Sequence, residues 1–272
     1  MTTAPIPIPT LRNGLQGSCT LVGAGPGDPE LLTLRAVRAI ESATVLLVDD
    51  LVSEAIVALA QRTARIVRVG KRGGCKSTPQ AFIETLMLMA VHEGEHVVRL
   101  KGGDPFIFGR GGEEAEHMRA AGVAVEVVNG ITAGMAGPTS LGVPLTHRDH
   151  AQGVLFITGH ARPGAAGPDW ALLARTAQQA RLTLVIYMGV SGARTIQDGL
   201  LLGLSADTPV AVVQHASLPQ QRHATGRLEQ LANTIAQHGL GSPSVIVVGE
   251  VVRGLAALQD QSTPILTRYQ AV

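Results

Sequence analysis

Short apolar runs alternate with segments of helical periodicity along most of this 272-residue chain. Such alternation predicts a mainly parallel sheet that is covered by helices on both faces. Because apolar runs bounded by turn residues are typical of buried strands, they set the predicted strand positions. In the first half, the predicted strands are Cys19–Val22, Val45–Val48, Ile66–Val69, Val97–Leu100 and Val123–Val128, and the predicted helices are Glu30–Ala43, Ser53–Ala60, Pro79–His92 and Glu113–Ala121.

A second series of strands and helices begins after His150. It follows a stretch from Asn129 to Pro144 whose glycines and prolines are typical of a connection. We therefore predict an arm at 1–16, α/β domains at 17–133 and 134–260, and a tail at 261–272. The second series comprises predicted strands Val154–Thr158, Thr183–Tyr187, Val210–Gln214 and Val245–Val248 and predicted helices Trp170–Gln179, Ala193–Leu202 and Leu228–His238.

Composition argues against several classes of partner. Lys and Arg number 22 against 21 Asp and Glu, so no basic excess exists to neutralise a nucleic-acid backbone. Aromatic residues make up 3%, which argues against a base-stacking platform. No apolar run approaches a membrane span, and the start lacks a signal-peptide pattern. Cys19 and Cys75 have neither metal spacing nor a disulfide framework, so we expect a cytoplasmic protein without a metal.

The run from Lys101 to Glu114 carries five glycines in fourteen residues and follows a predicted buried strand. Ordinary strand-to-helix loops in α/β proteins span about 2–6 residues, so this loop is unusually long. Glycine lets a ligand touch the main chain, and ligands of α/β proteins bind where strands end. The loop also carries charges of both signs, and it therefore predicts a ligand site.

A second glycine loop, from Gly23 to Pro29, follows the first predicted strand, and Asp49 ends the next one. This spacing is similar to that of a dinucleotide site, but Asp28 stands where that fingerprint needs glycine. Pro26 and Pro29 each remove a backbone donor that a pyrophosphate would use. The loop therefore favours a cationic or neutral ligand over a phosphate, and a plain tight turn remains the alternative.

Three further segments are weaker candidates. The small residues of Ile131–Gly137 fit either a flat ligand or close packing. Arg148, in Leu145-Thr146-His147-Arg148, could clamp carboxylates together with Arg110, although a lone arginine is usually solvated. Met188 follows a predicted strand and suits either the core or a ligand.

Together these motifs resemble the uroporphyrinogen-III C-methyltransferases of the tetrapyrrole methylase family. The resemblance covers about residues 17–257, and the long Lys101–Glu114 loop is its most specific part. The first glycine loop alone would indicate only the wider class. The matching segments are Val22–Leu34, Val69–Arg72, Val97–Glu114, Gly130–Ala133 and Gly142–Arg148.

The resemblance implies two α/β domains with a ligand cleft between them, the first sheet mainly parallel and the second mixed. It implies that S-adenosyl-L-methionine is bound in that cleft, without a metal, and leaves as S-adenosyl-L-homocysteine. Two methyl transfers, at C2 and C7 of uroporphyrinogen III, would give precorrin-2 for sirohaem, cobalamin or haem d1. A homodimer is expected. Oxidation and metal insertion are not expected, because the other half of the fused sirohaem synthases catalyses those steps.

The resemblance also assigns roles to individual residues. Because the substrate carries eight carboxylates, we expect cations to gather at the site. Asp50 departs from the family, since many relatives carry arginine there; either Lys71 or Arg72 compensates, or the position does not touch the substrate in this chain. The predicted catalytic residues are Arg110, Glu113 and Arg148; the predicted donor contacts are Pro26, Gly102, Gly103, Asp104, Thr132, Ala133, Met188 and Ala216; and the predicted substrate contacts are Asp49, Lys71, Lys101, Arg110, His147 and Arg148.

Several alternatives stay open at this point. One is a tetrapyrrole methylase that acts on a later cobalamin intermediate, and another is a methylase of ribosomal RNA or of a modified histidine. A dinucleotide-dependent oxidoreductase would bind NADH. A non-catalytic protein would bind the donor without transferring a methyl group.

Overall fold

The computed structural model describes residues 17–70, 78–160, 164 and 166–254. These residues form two compact units, one up to Thr132 and one from Ala133. Each unit contains a five-stranded sheet within its described part. The first sheet is all parallel and the second is mixed, which confirms the predicted α/β fold class. The predicted ligand cleft stays a prediction.

The first sheet has the strand order β3-β2-β4-β1-β5. Its register pairs Gly23 with Lys101 and Val22 with Val128, so the carboxyl ends of β1, β4 and β5 lie at one edge. The predicted strands are present, but β3 is shifted by one residue and β5 begins two residues later, after the turn at Gly122. The strands are β1 Ser18–Gly23, β2 Val45–Val48, β3 Arg65–Arg68, β4 His96–Lys101 and β5 Val125–Val128.

Helices pack on both faces of this sheet. Ala36, Ile40 and Ile56 form a core on one face, while Met87 and Met118 belong to the core on the other. The first helix begins later than predicted, because the segment at Glu30 forms a 3-10 turn and Thr33 caps the helix by accepting from the Ala36 N–H. The helices are α1 Leu34–Ser42, α2 Glu54–Val57, α3 Gln80–His92 and α4 Gly111–Ala120.

The second sheet has the strand order β6-β7-β10-β8-β9, in which β6 and β7 are parallel and the other pairs antiparallel. The sequence did not predict β9, because its segment Arg-His-Ala-Thr-Gly-Arg has no apolar alternation and buries only Ala224. Pairing with β8 along its whole length defines it instead. The strands are β6 Gly153–Thr158, β7 Leu182–Tyr187, β8 Pro209–Gln214, β9 Arg222–Arg227 and β10 Ser244–Val248.

A helix, α5 at Ala133–Ser140, lies where a loop was predicted. Its small residues allow close packing on the second sheet: a Cβ on Gly134 would lie 2.2 Å from the Tyr187 hydroxyl, and one on Gly137 would lie 3.1 Å from Val245. The other helices are α6 Trp170–Ala180, α7 Ala193–Leu200 and α8 Leu231–Gln237. Within the described ranges, no helix combines the length and the apolar character that crossing a bilayer requires.

Candidate active site

Three glycines bring the main chains of β1, β4 and β5 together at the carboxyl edge of the first sheet. A Cβ on Gly130 would lie 2.2 Å from the Gly103 carbonyl oxygen, and one on Gly23 would lie 2.5 Å from the Gly130 nitrogen. Gly103 has a φ of +69° and exchanges backbone hydrogen bonds with Gly25, at 2.7 and 3.1 Å. No side chain fits at Gly23 or Gly130, and the positive φ of Gly103 disfavours one there, so any ligand at this edge meets bare main chain.

Asp104 fixes the long loop to the end of β5. Its Oδ1 accepts from the Phe106 N–H at 2.8 Å, and its Oδ2 accepts from Asn129 Nδ2 and from the Gly130 N–H, both at 3.1 Å. The side chain is buried, as is Thr132, which lies beside Gly103. The structure therefore brings together Gly102, Gly103, Asp104 and Thr132 from the predicted donor set, with Pro26 directly after the bridged Gly25.

Arg110 and Glu113 form a bidentate ion pair where α4 begins. Arg110 Nε lies 3.1 Å from Glu113 Oε1, and Nη2 lies 2.5 Å from Oε2. The hydrogen bonds that Arg110 donates to Glu113 raise the pKa of the guanidinium, so Arg110 stays positively charged. Both side chains are about half exposed, at 52% and 49%, and a ligand at the surface can reach them.

The backbone leading to this pair is strained. Phe108 and Arg110 have φ values of 53° and 59°, in the left-handed region that non-glycine residues seldom adopt. Such residues cost about 1–3 kcal/mol each and persist only where the surroundings enforce them, often at functional sites. The strain therefore supports the prediction that this loop carries function.

Four charged side chains form a cluster beneath the same edge. Arg99 and Lys101 of β4 are both 2% exposed, and Glu114 of α4 is fully buried. Glu114 Oε1 accepts from Arg99 Nε and from Lys101 Nζ, each at 3.1 Å. Asp49, after β2, has its Oδ2 3.5 Å from Arg99 Nη2 and 4.0 Å from Lys101 Nζ. Two cations and two carboxylates thus balance each other.

The environment of this cluster perturbs two neighbouring groups. Burial, followed by repulsion from Arg99, lowers the pKa of the Lys101 ammonium, and Glu114 and Asp49 oppose that shift. Burial, reinforced by the Glu114 charge, raises the pKa of the Cys19 thiol to about 12, so this thiol is protonated and unreactive at neutral pH. Glu114 Oε2 lies 3.1 Å from the Lys101 ammonium, so the two form an ion pair, but the angle between them does not allow a hydrogen bond.

A cavity of about 360 Å³ opens beyond the carboxyl ends of β2 and β3. Asp49 lines it, so this carboxylate has the buried cations on one side and the cavity on the other. Asp50, at which the resemblance predicts arginine, also lines the cavity. The other lining residues are Val48, Val52, Glu54 and Arg68.

In the second unit, three predicted donor contacts lie at one edge of the sheet. β7 and β8 both pair antiparallel with β10, so their carboxyl ends point the same way. Met188 follows β7 with a φ of 54°, and Ala216 follows β8 between two further left-handed residues. Ala133 begins α5, where the Gly134 N–H donates to the Tyr187 hydroxyl at 2.7 Å.

The predicted substrate contacts His147 and Arg148 lie in a tight turn of the second unit. His147 and Ala151 exchange two backbone hydrogen bonds of 2.9 Å, and the His147 ring stacks on His150 with centroids 4.6 Å apart. Both predicted residues are exposed. Lys71, the remaining predicted contact, and its neighbour Arg72 lie outside the described residues.

Two parts of this arrangement were not predicted from the sequence. One is Arg99, for which a signal existed: an arginine inside an otherwise apolar strand is rarely buried unless it is paired. The other is the anchoring of Asp104 by Asn129, for which the spacing of 25 residues gives no signal.

Comparisons with known proteins place these features in a family. Residues 18–232 match the model of the tetrapyrrole (corrin/porphyrin) methylases. A uroporphyrinogen-III C-methyltransferase of Pseudomonas aeruginosa is 50% identical over 89% of this chain and 97% of its own length. A siroheme synthase of Aeromonas hydrophila is 49% identical over 87% of this chain, which spans 49% of that relative's length.

A solved structure is similar as well. The uroporphyrin-III C-methyl transferase of Thermus thermophilus, complexed with S-adenyl homocysteine, has a TM-score of 0.75 and 42% identity. The match covers 88% of this chain and 100% of that one. The glycine-lined strand edge and the long Lys101–Glu114 loop are thus features of a chain that belongs to the tetrapyrrole methylase family.

Proposed function

We propose that this chain is an S-adenosyl-L-methionine-dependent methyltransferase that methylates uroporphyrinogen III at C2 and C7 to give precorrin-2. The observation that carries the proposal is the Arg110–Glu113 ion pair, half exposed on a strained loop that also contains the bare main chain of Gly102 and Gly103. The names of the Pseudomonas and Thermus relatives support the same activity.

The glycine edge fits the methyl donor. A nucleoside needs flat contact with main chain, and the positions where a Cβ would clash, at Gly23 and Gly130, keep that edge free of side chains. The nearby carboxylate of Asp104 suits a cationic sulfonium better than the phosphates of a dinucleotide. When bound, the donor supplies a methyl group that carries its own leaving group. Ala133, Met188 and Ala216 are proposed as further donor contacts.

The proposed substrate is an octa-acid, so cations must orient it. Arg110, Arg148 and His147 are exposed and available to propionate and acetate groups. An arginine binds a carboxylate with two parallel hydrogen bonds, which fixes orientation as well as affinity. Since Glu113 already occupies the Arg110 fork, a substrate carboxylate would have to share or replace it.

Glu113 and Asp49 are proposed to meet the macrocycle at its nitrogens rather than at its acids. A carboxylate repels other carboxylates but accepts hydrogen bonds from pyrrole N–H groups. As the pyrrole carbon forms its new bond, positive charge develops on the ring. A fixed carboxylate such as Glu113 would stabilise that charge or accept the proton that the product loses. Positioning of the two reactants supplies the larger part of the lowering of the activation barrier, about 7–11 kcal/mol in favourable cases.

The setting of the enzyme is part of the same proposal. The low basic charge and the acidic small-molecule substrate favour a cytoplasmic enzyme without a nucleic-acid or membrane partner. The proposed homodimer is implied by the resemblance alone. Light scattering, which measures the molar mass in solution, tests it.

Variants of Arg110 and Glu113 test the proposal. We expect Arg110→Ala and Glu113→Ala to bind S-adenosyl-L-homocysteine as the wild type does, by calorimetry, but to lose most methyl transfer to uroporphyrinogen III. The matched controls are Arg119→Ala and Glu116→Ala, exposed residues of the same helix, which should keep activity. Full activity in both site variants would remove Arg110 and Glu113 from the catalytic set.

A further inference from the structure

Lys101 stands in the long loop's first position, yet it does not face solvent. It is 2% exposed, and its ammonium lies 3.1 Å from each carboxylate oxygen of Glu114. A lysine meant for a substrate carboxylate would need its charge at the surface. Burying an ammonium is costly unless partners compensate it, so the charge of Lys101 acts on carboxylates of the protein rather than on the substrate.

We infer that Lys101 is a positioning residue, which acts on the reaction through Asp49 rather than through contact with the substrate. The inference rests on the proposed function. It adds to that proposal a distinction between two roles: exposed cations such as Arg110 and Arg148 bind the octa-acid, whereas the buried Lys101 does not touch it.

The charges of the buried cluster connect Lys101 to Asp49. Arg99 spans both carboxylates, because its Nε donates to Glu114 at 3.1 Å and its Nη2 lies 3.5 Å from Asp49 Oδ2. Lys101 supplies the second cation, hydrogen-bonded to Glu114 at 3.1 Å and 4.0 Å from Asp49 Oδ2. Without Lys101, the cluster would carry a net negative charge next to Asp49.

Asp49 is placed to pass this effect on to a ligand. Its side chain is 36% exposed and lines the 360 Å³ cavity, whereas Lys101 is enclosed. Its backbone is also fixed, because the Asp49 N–H donates to the Leu100 carbonyl at 3.0 Å. Lys101 thus places a buried positive charge beside a carboxylate at the rim of the cavity. Preorganised charge of this kind speeds a reaction more than it strengthens binding.

The test must separate this role from simple charge balance. Lys101→Met alone leaves Glu114 with less compensation, so we pair it with Glu114→Gln, which keeps an acceptor for Arg99 and restores neutrality. Glu114→Gln alone is the control. We expect the paired variant to melt within a few degrees of the wild type and to bind S-adenosyl-L-homocysteine equally. Its kcat should fall by about tenfold or more, with KM for uroporphyrinogen III changed by less than about threefold.

A double-mutant cycle with Asp49→Asn then tests whether the two residues act as one unit. The kcat of the variant that combines all three substitutions should lie within about twofold of that of Asp49→Asn, because the effects of substituting residues that act together are not additive. Three results would overturn the inference: wild-type kcat in the paired variant, a raised KM with unchanged kcat, or additive losses.

A second measurement does not require any Lys101 variant to fold. The sequence has three lysines, so their side-chain NMR signals can be assigned. In Asp49→Asn, the Lys101 signal should shift; an unchanged signal would also overturn the inference. If the wild type does not methylate uroporphyrinogen III at all, the proposed function fails, and this NMR result still reports on the pair separately.

Discussion

Replacing Gly130 by alanine should disrupt the meeting point of β1, β4 and β5. The new Cβ would lie 2.2 Å from the Gly103 carbonyl oxygen and 2.8 Å from the Gly23 Cα. Both neighbours are main chain, so no side-chain rotation can relieve the overlap. The strands must separate, and the 3.1 Å hydrogen bond from the Gly130 N–H to Asp104 would lengthen with them.

The magnitude follows from that overlap. Adding one methyl group to a well-packed interior typically costs about 1–3 kcal/mol, through shifts of backbone and side chains. With immovable atoms about 1 Å too close on two sides, we expect a loss at the upper end, about 3 kcal/mol. This is a large fraction of a typical stability of about 5–15 kcal/mol.

Urea unfolding followed by far-ultraviolet circular dichroism measures the loss. Fluorescence would be misleading, because the single tryptophan, Trp170, belongs to the other unit. Hydrogen exchange in peptides that carry β1, β4 and β5 should localise the damage. We also expect S-adenosyl-L-homocysteine binding to weaken, since the proposed donor edge is displaced.

Gly112 provides the matched control. It lies in α4, and a Cβ there meets nothing within 4 Å, so Gly112→Ala should stabilise the protein by up to about 1 kcal/mol through helix propensity. If Gly130→Ala were as stable as Gly112→Ala, the argument that three main chains meet there without room for a side chain would be wrong.

Two other predictions concern buried groups. The folded Cys19 thiol has a pKa of about 12 against an ordinary 9.0, so its contribution to stability is full below pH 9 and is lost as the pH rises toward 12. Between pH 8 and pH 10, urea unfolding should therefore show the wild type losing about 1.4 kcal/mol more than Cys19→Ala, and equal losses would contradict the shift. Tyr187→Phe removes the acceptor of the buried Gly134 N–H, 2.7 Å away, and should cost about 1–3 kcal/mol in the same assay; an unchanged midpoint would mean that this hydrogen bond is not needed.

The sequence predicted the parallel sheet because buried strands and amphipathic helices leave strong local patterns. It did not predict α5, since glycine and proline normally mark a connection, whereas here small residues allow a helix to approach Tyr187 and Val245. It did not predict β9 either, because an edge strand with one buried residue gains its definition from pairing.

The candidate site divides in the same way. Glycines and charges adjacent in the chain, such as Gly103, Arg110 and Glu113, were identifiable because one loop carries them. Lys101 was predicted as a substrate contact, and the sequence does not reveal that its ammonium is buried against Glu114. That arrangement depends on how α4 packs against β4, which no local pattern encodes.

Incubation of the purified protein with uroporphyrinogen III and labelled S-adenosyl-L-methionine is the most direct test of the proposed function. Mass spectrometry of the product should show two added methyl groups, each carrying the label. An unmodified tetrapyrrole, recovered although the protein binds the donor, would contradict it.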